Sequence, residues 1–202
     1  MKNNRHIIIL SILLIIFLIM GFMVRGSAEG ILFDMAILDA IHSSTNPVIF
    51  NIMNFISFIG SYKFLIPAIG IVIIISIINR RYFISKFLLV NTLGSFIFNF
   101  LLKQIFQRTR PLDYFLVEQG GLSYPSGHSM VTMSMYLAIA YLITREESNP
   151  RKKRNVFVIA SIFIASMGIS RVYLGVHWPT DVIGGFIMGY IFYSVSKMLV
   201  RA

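Results

Sequence analysis

The chain is 202 residues long, 56% hydrophobic and only 13% charged, with a mean hydropathy of +0.78. Soluble domains carry about 25% charged residues, so this composition excludes an ordinary soluble domain and points to a protein embedded in a bilayer. Eighteen Lys and Arg against eight Asp and Glu give a net charge of +10, and the absence of cysteine excludes disulfides, thiolate catalysis and Cys-ligated metals. Basic residues collect in the cytoplasmic loops of membrane proteins, which accounts for the charge without nucleic acid as a partner.

The first predicted span covers 7–24, "IIILSILLIIFLIMGFMV", behind Lys2 and Arg5. It is longer than the apolar region of a signal peptide, about 7–15 residues, so a retained helix is expected. The stretch "ILFDMAILDAIH" (31–42) has helical apolar spacing interrupted by Asp34 and Asp39, and reads as an amphipathic helix at the membrane interface. "NPVIFNIMNFISFIG" (46–60) is too short and too polar to be a clear span. Further spans are expected over about 62–79, 83–106, 127–144, 155–171 and 181–200. Gly185 and Gly189 form a GxxxG pattern in the last of these, which close helix packing explains.

The expected fold is therefore all-α: an integral membrane protein with six transmembrane helices in one bundle and short interfacial helices in the 29–60 region. The whole chain, 1–202, forms one domain, with its core over about 60–200. With the N-terminus in the cytoplasm, 12 of the 18 basic residues, Lys2 and Arg201 among them, fall on the inner side. This obeys the positive-inside rule. Six remain outside: Arg25, Lys63, Lys103, Arg108, Arg110 and Arg171.

Four of those six sit in three polar clusters that share the outer face: "KQIFQRTRP" (103–111), "SYPSGHSM" (123–130) and "SRVYLGVHWPTD" (170–181). In the second cluster, Ser126 is a favoured N-cap for the apolar run that follows. The first amides of that helix lack intrahelical partners and carry the positive end of its dipole. Gly127 lets a ligand approach the backbone. Alone these residues say no more than a capped helix start. Beside Lys103, Arg110 and Arg171 they make a place for an anion, because Arg offers a planar fork to phosphate oxygens and Lys a point charge. Snorkelling to lipid headgroups is the alternative for these cations, and for Arg108 it is the expected explanation.

Two of the four histidines, His128 and His177, lie in the clusters; His6 and His42 are expected to be exposed and incidental. Asp181 follows His177 by four residues and could hold its imidazole in one tautomer. His177 would then attack phosphorus and His128 protonate the leaving oxygen. Pro179 and Asp181 also suit a first helical turn, so capping is a second reading of Asp181. The carboxylates on this face form neither an HExxH nor a paired-Asp pattern, and no metal or other cofactor is expected.

The clusters resemble the three signature motifs of the type-2 phosphatidic acid phosphatase superfamily. Those are a Lys, six residues, then Arg-Pro; Pro-Ser-Gly-His; and Ser-Arg, five residues, His, three residues, Asp. Every position is met, in order. The resemblance implies that Lys103, Arg110 and Arg171 bind phosphate with Ser126 and Gly127, that His177 is the nucleophile oriented by Asp181, and that His128 is the acid. It also implies hydrolysis without metal and inhibition by vanadate. The spans place the chain in the membrane branch, whose substrates are lipid phosphates. Phosphatidylglycerol phosphate is the first expectation, followed by undecaprenyl pyrophosphate; phosphatidic acid and diacylglycerol pyrophosphate are further members of the substrate class. A non-catalytic lipid-phosphate binder or transporter is the reading from another class. It would need the cations but neither a nucleophile nor an acid, and a transporter would be expected to show inverted repeats or broken helices.

Overall fold

The computed structural model describes residues 2–31, 33–43 and 45–200; Arg201 and the side chain of Lys2, both counted above on the inner side, lie outside the described residues. Among the described residues the regular structure is entirely helical. The α-helices are α1 (Lys2–Met23), α2 (Asp34–His42), α3 (Pro47–Ile59), α4 (Tyr62–Ile78), α5 (Tyr82–Leu89), α6 (Ser95–Phe106), α7 (Gly127–Thr144), α8 (Pro150–Tyr173) and α9 (Pro179–Leu199). A π-helical turn, Val90–Gly94, joins α5 to α6.

Local chemistry sets the helix starts. Asn46 and Asn149 each cap a helix that has Pro in its first turn, and their Oδ1 atoms accept from Val48 N at 2.8 Å and Arg151 N at 2.9 Å. The Asn side chain satisfies the orphan amide of the second helical residue, and Pro at the first has none to lose. Ser126 caps α7, as its position before the apolar run predicts.

Among the described residues, four helical stretches are long and apolar enough to cross a membrane: Asn4–Met23, Tyr82–Phe106, Pro150–Tyr173 and Pro179–Leu199. A fifth crossing is reached if α3 and α4, bent by 44° at Gly60 and Ser61, count as one. The segment 46–60 thus continues into α4 rather than standing apart from it. All six expected segments are helical, but the expected count of six spans is not met by length and apolarity. One reason is that α4 alone has 17 residues. Another is that α7 is the central helix, packed against α6, α8, α9 and the π-turn. Its buried face carries Ser129, Thr132 and Ser134. A helix enclosed by protein needs fewer apolar residues than one facing lipid.

Helices α7 and α9 approach closely. A Cβ on Gly185 would lie 2.7 Å from Ser126 O, and one on Gly189 would lie 2.5 Å from Met130 O. Buried Asn91 in the π-turn ties three elements together, because its Oδ1 accepts from Ser134 Oγ of α7 and Ser196 Oγ of α9, both at 2.9 Å.

The loops at one end of the bundle are stitched by backbone hydrogen bonds. Gly26 N donates to Phe106 O at 2.9 Å, Thr109 N to Ser27 O at 2.9 Å, Ser123 N to Arg108 O at 2.8 Å and Ser126 N to Asp181 O at 3.0 Å. These bonds gather all three polar clusters at one end. In the third cluster, Gly175 has φ +69°, and a Cβ there would meet Tyr114 O at 1.7 Å. Only glycine allows the chain to turn so close to the 114–115 backbone, two residues before His177.

Candidate active site

His177 lies in the loop between α8 and α9 and is 1% exposed. Its Nε2 is 3.0 Å from Arg110 NH1, and its Nδ1 is 3.3 Å from Asp181 Oδ2. A guanidinium can only donate, so Nε2 is the unprotonated nitrogen. The ring hydrogen then sits on Nδ1, facing Asp181. This tautomer places the ring's lone pair at Nε2, where it accepts from Arg110 in this structure and would be released for chemistry when a phosphoryl group takes that hydrogen bond.

Asp181 is fully buried in the first turn of α9. Its Oδ2 accepts from Trp178 N at 3.0 Å and from Ser123 Oγ. Asp181 therefore caps the helix and also faces His177, and the two sequence readings are compatible. Its Oδ1 accepts from Arg108 NH1 at 2.8 Å.

Arg110 NH1 also donates to Val176 O at 2.5 Å, and its Nε to Gly121 O at 2.9 Å, so backbone carbonyls fix the fork. Burial lowers its pKa to about 10, which leaves it charged at neutral pH. Lys103 Nζ donates to the carbonyls of Leu122 and, at 2.9 Å, of Ser123. Arg171 is 2% exposed and donates through NH1 to Ser57 Oγ and through NH2 to Gln119 Oε1 at 3.2 Å. Burial, together with the charges of Arg110, Lys103 and Arg171, holds the His177 imidazole well below its ordinary pKa.

A cavity of about 460 Å³ brings Lys103, Arg110, Gly127, His128 and His177 to a common wall. Gly127 has no room for a side chain there, since a Cβ would lie 2.9 Å from Asn99 Oδ1. Three expected site residues stand outside this wall. Asp181 lies behind His177, Arg171 is held by Ser57 and Gln119, and Ser126 is fully buried with its amide donated to Asp181 O. The cavity continues as a groove between α4 and α5–α6, where Ile66, Leu93, Phe96 and Phe100 line it and are 46–58% exposed, so the groove opens sideways.

The structure corrects three expectations. Arg108 does not snorkel: it is fully buried, paired with Asp34 Oδ2 at 2.7 Å and with Asp181 Oδ1 at 2.8 Å, and lies 5.1 Å over the Trp178 ring. Asp34 is not at a solvated interface but is fully buried at the start of α2, where it also accepts from Thr180 N at 2.9 Å. His42 is half-buried, edge-on to Tyr114, with Nδ1 2.8 Å from Leu38 O. Sequence reasoning missed Ser57, Asn99, Gln119 and Ser123 altogether. For the Arg108–Asp34 pair one signal was available: an acidic side chain set inside an apolar stretch implies a buried partner.

The family model of the PAP2 superfamily matches residues 83–201. Phosphatidylglycerophosphatase B of Bacillus subtilis is 34% identical over 165 residues, covering 81% of each chain. An undecaprenyl-diphosphatase of Sulfolobus acidocaldarius is 28% identical over 194 residues, covering 88% of this chain and 84% of that one. The crystal structure of the first transmembrane PAP2 type phosphatidylglycerolphosphate phosphatase from Bacillus subtilis matches with a TM-score of 0.83 at 31% identity, covering 94% of both chains. Aquifex aeolicus LpxE shares the fold at a TM-score of 0.66 and 22% identity, covering 84% of this chain and 98% of that one. The chain belongs to the PAP2 superfamily.

Proposed function

We propose that this protein is a metal-independent lipid phosphate phosphatase that converts phosphatidylglycerol phosphate to phosphatidylglycerol through a phosphohistidine at His177. The observation that carries this reading is an unprotonated His177 Nε2 beside Arg110, at the polar end of a laterally open apolar groove. A binding protein has use for the cations and the groove, but not for a buried imidazole presented as a nucleophile and backed by a carboxylate.

Lys103 and Arg110 on the cavity wall neutralise the phosphoryl oxygens, Arg171 adds its charge from its place between Ser57 and Gln119, and the α7 N-terminus at Ser126 and Gly127 adds its dipole. The lone pair of His177 Nε2 forms a bond to phosphorus as the phosphorus–oxygen ester bond breaks. The leaving oxygen takes a proton from protonated His128, and phosphatidylglycerol departs. Asp181 stabilises the positive charge that develops on the His177 ring. Water then attacks phosphorus and gives a proton back to His128. The phosphorus–nitrogen bond breaks, and inorganic phosphate leaves. The acyl chains occupy the groove between α4 and α5–α6. Six crossings with a cytoplasmic N-terminus would put the site on the extracytoplasmic face of the membrane, in keeping with the positive-inside rule.

A second reading, undecaprenyl pyrophosphate as substrate, is favoured by the similarity to the archaeal undecaprenyl-diphosphatase over 88% of this chain. The test is phosphate release by the purified protein in detergent from phosphatidylglycerol phosphate and from undecaprenyl pyrophosphate in parallel, with His177→Ala as the blank. Faster His177-dependent release from phosphatidylglycerol phosphate is expected. A higher rate on the isoprenoid lipid would select the second reading, and release from neither would overturn both.

A further inference from the structure

We infer that Arg108 and Asp34 are positioning residues for the His177–Asp181 pair: together they fix which carboxylate oxygen of Asp181 faces the imidazole and leave that oxygen its charge. The inference rests on the proposed phosphatase reading.

The geometry divides the two oxygens of Asp181. Oδ1 accepts from Arg108 NH1 at 2.8 Å, which leaves Oδ2 for His177 Nδ1 at 3.3 Å. Trp178 N and Ser123 Oγ hold Oδ2, so Asp181 is fixed at both oxygens while Arg108 keeps Oδ1; without Arg108 it is tethered through Oδ2 alone and can swing relative to the imidazole. The remaining partners lock Arg108 itself. NH1 also donates to Thr180 Oγ1 at 2.6 Å, and NH2 donates to Asp34 Oδ2 at 2.7 Å and to Glu29 O at 3.3 Å. Asp34 in turn accepts from Thr180 N at 2.9 Å and from Thr180 Oγ1 at 2.8 Å, so α2 holds the residue next to Asp181.

Charge balance gives Asp34 its part. Arg108 alone would neutralise Asp181, and a neutral pair offers little to an imidazole that becomes positive during attack. Asp34 supplies a second carboxylate to the same guanidinium. The three groups keep one net negative charge, and Oδ2 faces His177. Arg108, Asp34 and Asp181 are all fully buried, so water does not screen the balance. Asp34 lies outside the residues matched by the family model, 83–201, so the N-terminal part of the chain contributes to the site.

The test compares kcat and KM of the full-length protein in detergent on phosphatidylglycerol phosphate for Asp34→Asn, Arg108→Lys, Asp181→Asn and the two double variants with Asp181→Asn. Partners that orient metal ligands cost about 10- to 100-fold when removed, and a loss of the same order is expected for partners that orient a nucleophile's carboxylate. Asp34→Asn is expected to lower kcat by that much with KM changed less than about 2-fold. It is also expected to move the acidic limb of kcat/KM to lower pH, because losing a negative charge disfavours the imidazolium. In the Asp181→Asn background, Asp34→Asn and Arg108→Lys should each cost less than about 2-fold, since the group they act through is already gone. If Asp34→Asn does not fold, Arg108→Lys carries the same expectation for kcat and KM, because it keeps the charge but cannot span both carboxylates. Wild-type kcat in both single variants, or equal losses with and without Asp181, would overturn the inference. Phosphate release that does not depend on His177 would overturn the phosphatase reading, and this inference with it.

Discussion

At the scale of the residue, His177 is governed by what surrounds it. Attack requires the neutral ring, and the neutral fraction rises as pH passes upward through the pKa of the group. Burial and the neighbouring Arg110, Lys103 and Arg171 lower that pKa. The acidic limb of kcat/KM, which reports the free enzyme, should therefore lie below the ordinary imidazole value of about 6.5 once the substrate's own phosphate ionisation is allowed for. A His177-dependent limb at or above neutrality would contradict this account. The side chains with the clearest chemistry were legible in the sequence because their motifs are local: Lys103 and Arg110, Ser126 to His128, and Arg171 to Asp181 each fall within a dozen residues or fewer. Arg108 was not, because its meaning depends on Asp34, 74 positions away. A cation near a helix end looks the same in sequence whether it reaches for lipid or for a buried carboxylate. Breaking one partner of a buried ion pair typically costs about 3–5 kcal/mol, so the misread arginine is also important to stability.

At the scale of the element, the site depends on how closely α7 and α9 pack, since one carries Gly127 and His128 and the other Asp181. The GxxxG spacing announced close packing of the last helix, and the structure gives the partner and the geometry: a Cβ on Gly189 would lie 2.5 Å from the backbone oxygen of Met130 in α7. Backbone cannot move aside as a flexible side chain can, so Gly189→Ala must separate the helices. A loss of about 1–3 kcal/mol, the usual cost of overpacking, is expected as a lower thermal midpoint in detergent, together with lower turnover as Asp181 shifts relative to the α7 N-terminus. An unchanged midpoint would mean that the contact is softer than the structure indicates. The sequence was less informative on α7 as a span. Its buried Ser129, Thr132 and Ser134 dilute its apolarity because it faces helices, not lipid. Asn91 and its partners Ser134 and Ser196 were invisible for the same reason as Arg108, since the tie exists only once three helices meet.

At the scale of the whole molecule, a bundle gathers its polar loops at one end, a groove opens to the side, and His177, the proposed nucleophile, stands where the two meet. The apolar runs announced the bundle and the motifs announced the polar end. The groove was not legible, because it is the space left where α4 parts from α6, and no residue type marks an absence. The N-terminal third has a larger part than its sequence suggested. Asp34 reaches Arg108, and Ser57 reaches Arg171, so α2 and α3 support a site whose motifs all lie after residue 100. The central claim is that phosphate passes through His177 without a metal ion. The most direct measurement is mass spectrometry of the protein, quenched in alkali during turnover of phosphatidylglycerol phosphate in the presence of EDTA. Undiminished turnover is expected, with a phosphoryl group on the peptide that contains His177 and none in His177→Ala. Loss of turnover with EDTA, or turnover with the phosphoryl group on another residue, would contradict the claim.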